Sequence, residues 1–144
     1  MTAQLYLTQT DTTMGFVSQN AGKIDKAKKR LANKHYIKVV NSLETLQTFT
    51  RVPTAHKNRV RRAKRTTFIM PNGLSFRVIK NSEHNLLLDR IKWAYSSSAN
   101  LSGAVYEEAY AREEAEIIVS TTKQKATKAS SIYRLGQKNI KVIR

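Results

Sequence analysis

Apolar residues come along this chain in short bursts, whose spacing alternates between the two-residue period of a strand and the wider period of a helix. Residues 5–8 (LYLT) read as a short strand. Residues 20–31 place Ile24, Ala27 and Leu31 at helical spacing with lysines between them, and residues 36–40 (YIKVV) read as a buried strand. Ser42 suits the N-cap of a short helix with Leu43, Leu46 and Phe49 on one side. In TTFIMPNGLSFRVI, two β-rich runs, 66–70 and 74–79, flank Pro71-Asn72-Gly73, the signature of a hairpin. A helix over 84–94 follows, with Leu87, Leu88 and Ile91 inward, and then a second over 105–116. Strands at 117–121, 131–135 and 140–143 complete the pattern. Strands interleaved with helices, with one hairpin among them, predict an α/β domain built on a mixed parallel and antiparallel sheet with flanking helices. A doubly wound parallel sheet fits less well, because the hairpin requires an antiparallel pair.

Composition agrees with one folded domain over residues 1–144, since 40% of the residues are hydrophobic and only five are Gly and two Pro. There is no cysteine, so disulfide and thiolate chemistry are excluded. His35, His56 and His84 share no metal-ligand spacing, and no metal site is expected. No apolar run is long enough for a membrane span, and MTAQLYLTQTDTT lacks the regions of a signal peptide, so a soluble cytoplasmic protein is expected.

Charge changes the picture more. The chain carries 26 Lys and Arg against 10 Asp and Glu, a formal net charge of +16. Such an excess implies a polyanionic partner (nucleic acid, nucleotide phosphates or an anionic membrane face) unless it reflects only a generally basic proteome. Seven of the cations lie in residues 23–38 and seven in 51–65, while the stretch beyond Glu116 has no acid.

Two polar stretches stand out, TQTDTTMG at 8–15 and SSSANLSG at 96–103. Hydroxyls, an amide and exposed backbone N–H groups can orient a small polar ligand and receive phosphate oxygens. The same residue types also supply ordinary turns and caps. In Lys28-Lys29-Arg30, positions 28 and 30 diverge on a helix, so they clamp one anion only if the chain unwinds there. No Ser-His-Asp set, carboxylate pair or phosphate-binding glycine loop can be assembled. An enzyme of this composition works by positioning and phosphate electrostatics.

In this order, the stretches resemble the YrdC/YciO family, whose best-known members are threonylcarbamoyl-adenylate synthases. Thr10-Asp11-Thr12-Thr13-Met14-Gly15-Phe16 is similar to the family's Pro-Thr-Asp/Glu-Thr-Val-Tyr-Gly-Leu, and Lys28-Lys29-Arg30 to its Lys-x-Arg. Thr66 to Met70 resembles the strand bearing its threonine, and Phe76-Arg77-Val78 resembles its Val-Arg-x-Pro strand. Ser98-Ala99-Asn100-Leu101-Ser102-Gly103 matches Ser-Ala-Asn-Leu-Ser-Gly in full. Ser130-Ser131-Ile132 resembles Ser-Thr-Ile/Val, and Val142-Ile143-Arg144 the strand that ends in Arg. Departures include Gln9 for Pro, Met14 for Tyr, Leu31 for Pro and Ala63-Lys64-Arg65 for Pro-Gly-Pro.

The resemblance implies a twisted, open α/β fold around a large concave, positively charged cavity. It further implies an ATP-dependent synthase that joins L-threonine, bicarbonate and ATP into threonylcarbamoyl-AMP and pyrophosphate, for threonylcarbamoyladenosine modification of tRNA. Lys28, Arg30, Ser98, Asn100 and Arg144 are then expected at the ATP phosphates, with Mg²⁺, and Thr10, Thr67 and Ser130 at the threonine. Proteins that transfer threonylcarbamoyl to tRNA are the implied partners. The alternative is a non-catalytic member that binds double-stranded RNA or tRNA, with Arg59, Arg61, Arg62, Lys64 and Arg65 as the contacting cations.

Overall fold

The structure, a computed structural model, describes residues 3–29, 35–100, 103–119 and 130–144. The chain opens with β1 (Tyr6–Gln9) and β2 (Met14–Ser18), an antiparallel pair in which Leu7 and Phe16 face each other. Helix α1 (Ala21–Lys28) starts where the Asn20 side chain accepts from the Gly22 N–H, and it stops at Lys29, whose φ of 52° is left-handed. Strand β3 (Ile37–Val40) leads to α2 (Leu43–Gln47), capped by Ser42, whose hydroxyl accepts from the Thr45 N–H at 3.2 Å. A short 3₁₀ turn (Thr54–His56) continues into α3 (Lys57–Arg62). The hairpin is β4 (Thr66–Ile69) and β5 (Ser75–Val78), turned at Gly73 with φ 87°. Then come α4 (Ser82–Ile91), β6 (Trp93–Ser98), α5 (Glu108–Glu114), β7 (Ile117–Ile118), β8 (Ser131–Leu135) and β9 (Ile140–Val142).

These strands form one mixed sheet in the order β7-β1-β2-β6-β3-β5-β4-β8-β9. The parallel pairs are β1–β7, β3–β5 and β4–β8, and the others are antiparallel. The hairpin and the strand at 131–135 lie where the periodicity places them. Strands β1, β3 and β9 also fall within a residue of their expected places, and Ser42 caps α2 as expected, while other expectations need correction. The helix expected over 84–94 ends at Ile91, because Lys92 takes φ 72° and Trp93 already pairs with Val40. The start of SSSANLSG continues β6, since Ser96–Ser98 pair with β2 and Ser96 pairs with β3 as well. The first helix is described only to Lys28, and the acidic helix is confined to Glu108–Glu114. Residues 30–31 and 120–121, within the expected first helix and the expected strand 117–121, lie outside the described residues.

The two-residue strand period sorts side chains onto two unlike faces. On one, Phe16, Val40, Phe68, Phe76 and Val78 bury against α1, α2, α3 and α5 through Ile24, Leu46, Val60 and Ala111. On the other, Val17, Val39 and Ala94 pack against α4 through Leu87 and Leu88. Four of the described helices therefore cover one face and a single helix part of the other. Glu116 joins α1 to β1, taking the Lys23 ammonium at 2.6 Å and the Leu5 N–H at 2.9 Å.

Leu46 is fully buried and, with Leu43, anchors α2 beneath the sheet. Leu46→Ala should cost about 2–5 kcal/mol, the range for a truncated buried leucine. The check is the shift in urea midpoint at unchanged m-value.

Candidate functional site

Register decides which polar side chains share the lightly covered face. Val39, paired with both Arg77 and Ala94, lies on the α4 side. Arg77 therefore lies there too, as does Thr67 opposite it on β4. Ser96 pairs with Val17 and Ile37 on the same face, and Ser98, two residues on, follows it. At the far side, Thr67 pairs with Ile132, so Ser130 belongs to this face as well.

Arg144 arrives by a different device. The N–H groups of Ile143 and Arg144 both donate to the Ile132 carbonyl (2.8 and 3.1 Å), and the Ile132 N–H returns a bond to Arg144. Two residues thus oppose one, which is a β-bulge, and the extra residue re-aims the arginine. Its Nε donates to the Ser130 carbonyl at 2.9 Å and Nη2 to the Ser130 hydroxyl at 2.8 Å.

At the other end, Lys28 closes α1 and is almost wholly buried. Its ammonium donates to the carbonyls of Ser98 (2.8 Å) and Asn100 (2.9 Å) and reaches the Asn100 amide oxygen at 3.4 Å. The Ser98 hydroxyl also donates to that amide oxygen, while the Asn100 amide NH₂ donates to the Ala104 carbonyl at 2.7 Å. The helix ends one residue before the second cation of Lys28-Lys29-Arg30, as a shared anion grip by positions 28 and 30 requires. Arg30 itself, like Leu101 and Ser102 of the serine-rich stretch, lies outside the described residues.

Between the two ends, the β1–β2 turn folds onto the face. The Thr10 hydroxyl donates to the Thr13 carbonyl at 2.6 Å and accepts from the Thr12 and Thr13 N–H groups, so it holds the turn together. A Cβ on Gly15 would come within 2.7 Å of the Thr10 methyl and 3.1 Å of the Ser97 carbonyl, so only glycine permits this approach. Asp11 pairs with Arg77 at 3.0 Å, both buried, and the same guanidinium donates to the Thr67 hydroxyl at 2.8 and 3.1 Å. Asp11 is thereby committed to holding the fold.

Arg77 was quoted in the sequence but given no role. A guanidinium between Phe76 and Val78 is itself the signal, because a buried charge needs a partner. His84 was overlooked as well. Among the described residues both its ring nitrogens lack hydrogen-bond partners, and burial pushes its pKa from 6.5 to about 4, with nearby Asp11 raising it and Arg77 lowering it.

The candidates thus form three groups: Lys28, reaching from α1 to the end of β6, with Ser98 and Asn100; Thr10 and Thr67 with the Asp11–Arg77 pair; and Ser130 with Arg144, where Ser98 and the last two groups share the face. From β6 to β8 they span four strand intervals, about 19 Å of sheet before curvature. Arg59, Arg61, Arg62, Lys64 and Arg65 are on α3 and the segment after it, all exposed. Among the described residues, no helix is long and apolar enough to cross a membrane.

Solved structures share this fold. The sheet and helices superpose on Pyrococcus abyssi Sua5 (P. abyssi), in a crystal structure complexed with L-threonine, at TM-score 0.81 and 18% identity, covering 98% of this chain and 50% of that one. E. coli YciO matches at TM-score 0.74 and 14% identity, over 99% of this chain and 82% of its own. The protein MTH1692 of Methanobacterium thermoautotrophicum matches at 0.71 and 16%, over 98% and 79%. The chain spans about half the length of Sua5. No protein-family model and no curated protein sequence matches it. At these identities the likeness establishes the fold, which is YrdC-like.

His84 gives the stability a pH dependence. The unfolded imidazole takes a proton near pH 6.5, while the folded one stays neutral to about 4. Its contribution is therefore full above 6.5 and falls as pH drops towards 4, by roughly 3 kcal/mol in all. Urea midpoints from neutral pH down to about 5 should decline in the wild type, and His84→Leu should reduce that slope by about one proton.

Proposed function

We propose that this chain is an ATP-dependent L-threonylcarbamoyladenylate synthase-like protein acting toward tRNA modification. The observation that carries the reading is the shared face. Strand register puts Ser98, Thr67 and Ser130 on it, and the bulge before the C-terminal arginine turns Arg144 onto it. The YrdC-like fold and the L-threonine complex of P. abyssi Sua5 support the choice of substrates.

In this reading, the threonine amine takes up CO₂ from bicarbonate as a carbamate, releasing a proton. A carbamate oxygen then attacks the α-phosphorus of ATP, and the α–β phosphoanhydride bond breaks to release pyrophosphate. No protein nucleophile takes part. Arg144, which keeps donors beyond those on Ser130, and the Ser98–Asn100 stretch held by Lys28 meet the phosphates, with Arg30 joining from the segment after α1. Thr67, Ser130 and the Thr10 turn border the threonine. Charge accumulating on the transferred phosphoryl group is what these donors stabilise. Mg²⁺ belongs to the triphosphate. Among the described residues no three His, Asp or Glu side chains group as a metal centre, and Asp11 is committed to Arg77. Purified protein should release pyrophosphate from ATP only when both threonine and bicarbonate are present. Arg144→Ala should lower that rate at least about tenfold, because a lost guanidinium grip is not replaced by point charges. Release indifferent to threonine rejects the proposal.

A second reading, double-stranded RNA or tRNA binding, is favoured by one observation. The five cations Arg59, Arg61, Arg62, Lys64 and Arg65 are all exposed, and among the described residues none is in an ion pair. They suit phosphate contacts that carry no sequence information. Affinity for duplex RNA should fall linearly on a log–log plot against salt, and Arg59→Ala with Arg62→Ala should reduce the slope by close to two phosphate contacts. A slope unchanged in the double variant rejects this surface.

A further inference from the structure

The opposite face of the sheet holds a feature that the proposed function does not use. Lys38 of β3 points away from the Val39–Arg77 row, in register with Phe76 and Tyr95. Its ammonium lies 4.0 Å from the ring centre of Phe49, 4.6 Å from Trp93, 5.3 Å from Tyr95 and 5.9 Å from Phe76. Trp93 stands edge-on to both Phe49 and Tyr95 at 5.4 Å, so the rings form a braced cage. Aromatic faces attract a cation but cannot neutralise it. Among the described residues, no carboxylate pairs with Lys38. Partial burial pushes its pKa below the ordinary value.

Beside this cation is a cavity of about 500 Å³. Its wall includes His35, Tyr36, Lys38, Leu74, Phe76 and Tyr95, between β3 and the β4–β5 hairpin. That volume falls in the range of small-molecule sites, and its wall mixes apolar and aromatic surface with polar groups that can fix orientation, Asn72 and Ser75 among them. Phe76, Tyr95 and Leu74 offer flat apolar surface, Lys38 offers an uncompensated positive charge, and His35 adds a polar group to the wall.

We propose that this cavity binds a small planar aromatic anion, whose carboxylate or phosphate pairs with Lys38 while its ring lies against Phe76, Tyr95 and Leu74. An anion alone lacks the stacking surface, and a neutral ring leaves the ammonium unpaired, so both parts are needed for binding. The site lies across the sheet from the candidate phosphate face and stands or falls independently of the proposed synthase activity.

Trp93 is the only tryptophan of the chain and touches Lys38, which makes its fluorescence a local reporter. The full-length chain is titrated with phenyl phosphate and benzoate, with inorganic phosphate as the anion alone and phenol as the ring alone. Phenyl phosphate and benzoate should shift Trp93 emission saturably, at least tenfold tighter than either fragment. Lys38→Met should weaken phenyl phosphate at least tenfold, and Lys138→Ala, at an exposed cation outside the cavity wall, should leave it unchanged. Should Lys38→Met not fold, Leu74→Asp, at an exposed wall position, should weaken phenyl phosphate at least fivefold, and by more than it weakens phenol, because it adds repulsion of the anion to the lost ring contact. Inorganic phosphate matching phenyl phosphate, unchanged affinity in the folded Lys38→Met or Leu74→Asp variant, or an equal loss in Lys138→Ala overturns the proposal.

Discussion

The buried contact between Arg77 and Asp11 organises the face on which the candidate residues meet. One guanidinium ties β5 to the Thr67 hydroxyl of β4 and to the turn between β1 and β2. In sheet order, β6 and β3 lie between β2 and β5, so the pair draws a loop across the face instead of leaving it at the strand end. Burying two charges is costly, and their mutual attraction offsets the loss of water only with good geometry and further hydrogen bonds. Thr67 supplies two of those bonds to Arg77. Apolar replacements of similar size would pack at least as well by area alone, but would not specify where residues 10–13 lie.

From that contact the contrast between the faces follows. One side is a conventional core of aromatic and branched residues under four helices. The other carries Ser96, Ser98, Thr67, Ser130 and Arg77 in strand positions that usually take apolar residues. Arg77 is bound to Thr67, Ser98 to Asn100 and Ser130 to Arg144, which keeps the face ordered. The same bonds occupy Lys28 and the Thr10 hydroxyl with structural work. Any anion received at the Ser98–Asn100 end therefore exchanges protein carbonyls for phosphate oxygens around Lys28.

How much of this was legible depends on how local the cause is. The hairpin could be read because Asn72-Gly73 separates two β-rich runs, and β8 because SIYRL lies between polar stretches. Strand β2 was not recognised, since Met14-Gly15-Phe16-Val17-Ser18 follows directly on a polar turn and contains a glycine explained only by the distant Thr10 methyl. Strand β6 was hidden because Trp93 and Ala94 continue the apolar spacing of α4, and its serines weakly favour strands. Helix α3 has one buried residue, Val60, and so shows no period at all. At the site, Ser98, Asn100, Thr67 and Ser130 were named from motif resemblance. The Arg144 bulge and the Arg77–Asp11 pair depend on partners 12 and 66 positions away, beyond what spacing alone can express.

The place of β6 in the sheet has a consequence for how the protein comes into being. It is the wall that joins β2 to β3, yet it is synthesised after both, and after the β4–β5 hairpin as well. On the ribosome, the first half of the chain therefore emerges with two hydrogen-bonding rims that have nothing to close them. Non-local closure of this kind is slow and leaves apolar rims open to other chains. Until residues 93–98 thread into that gap, the newborn chain is two fragments of a sheet, and the insertion of this one segment makes them a single body.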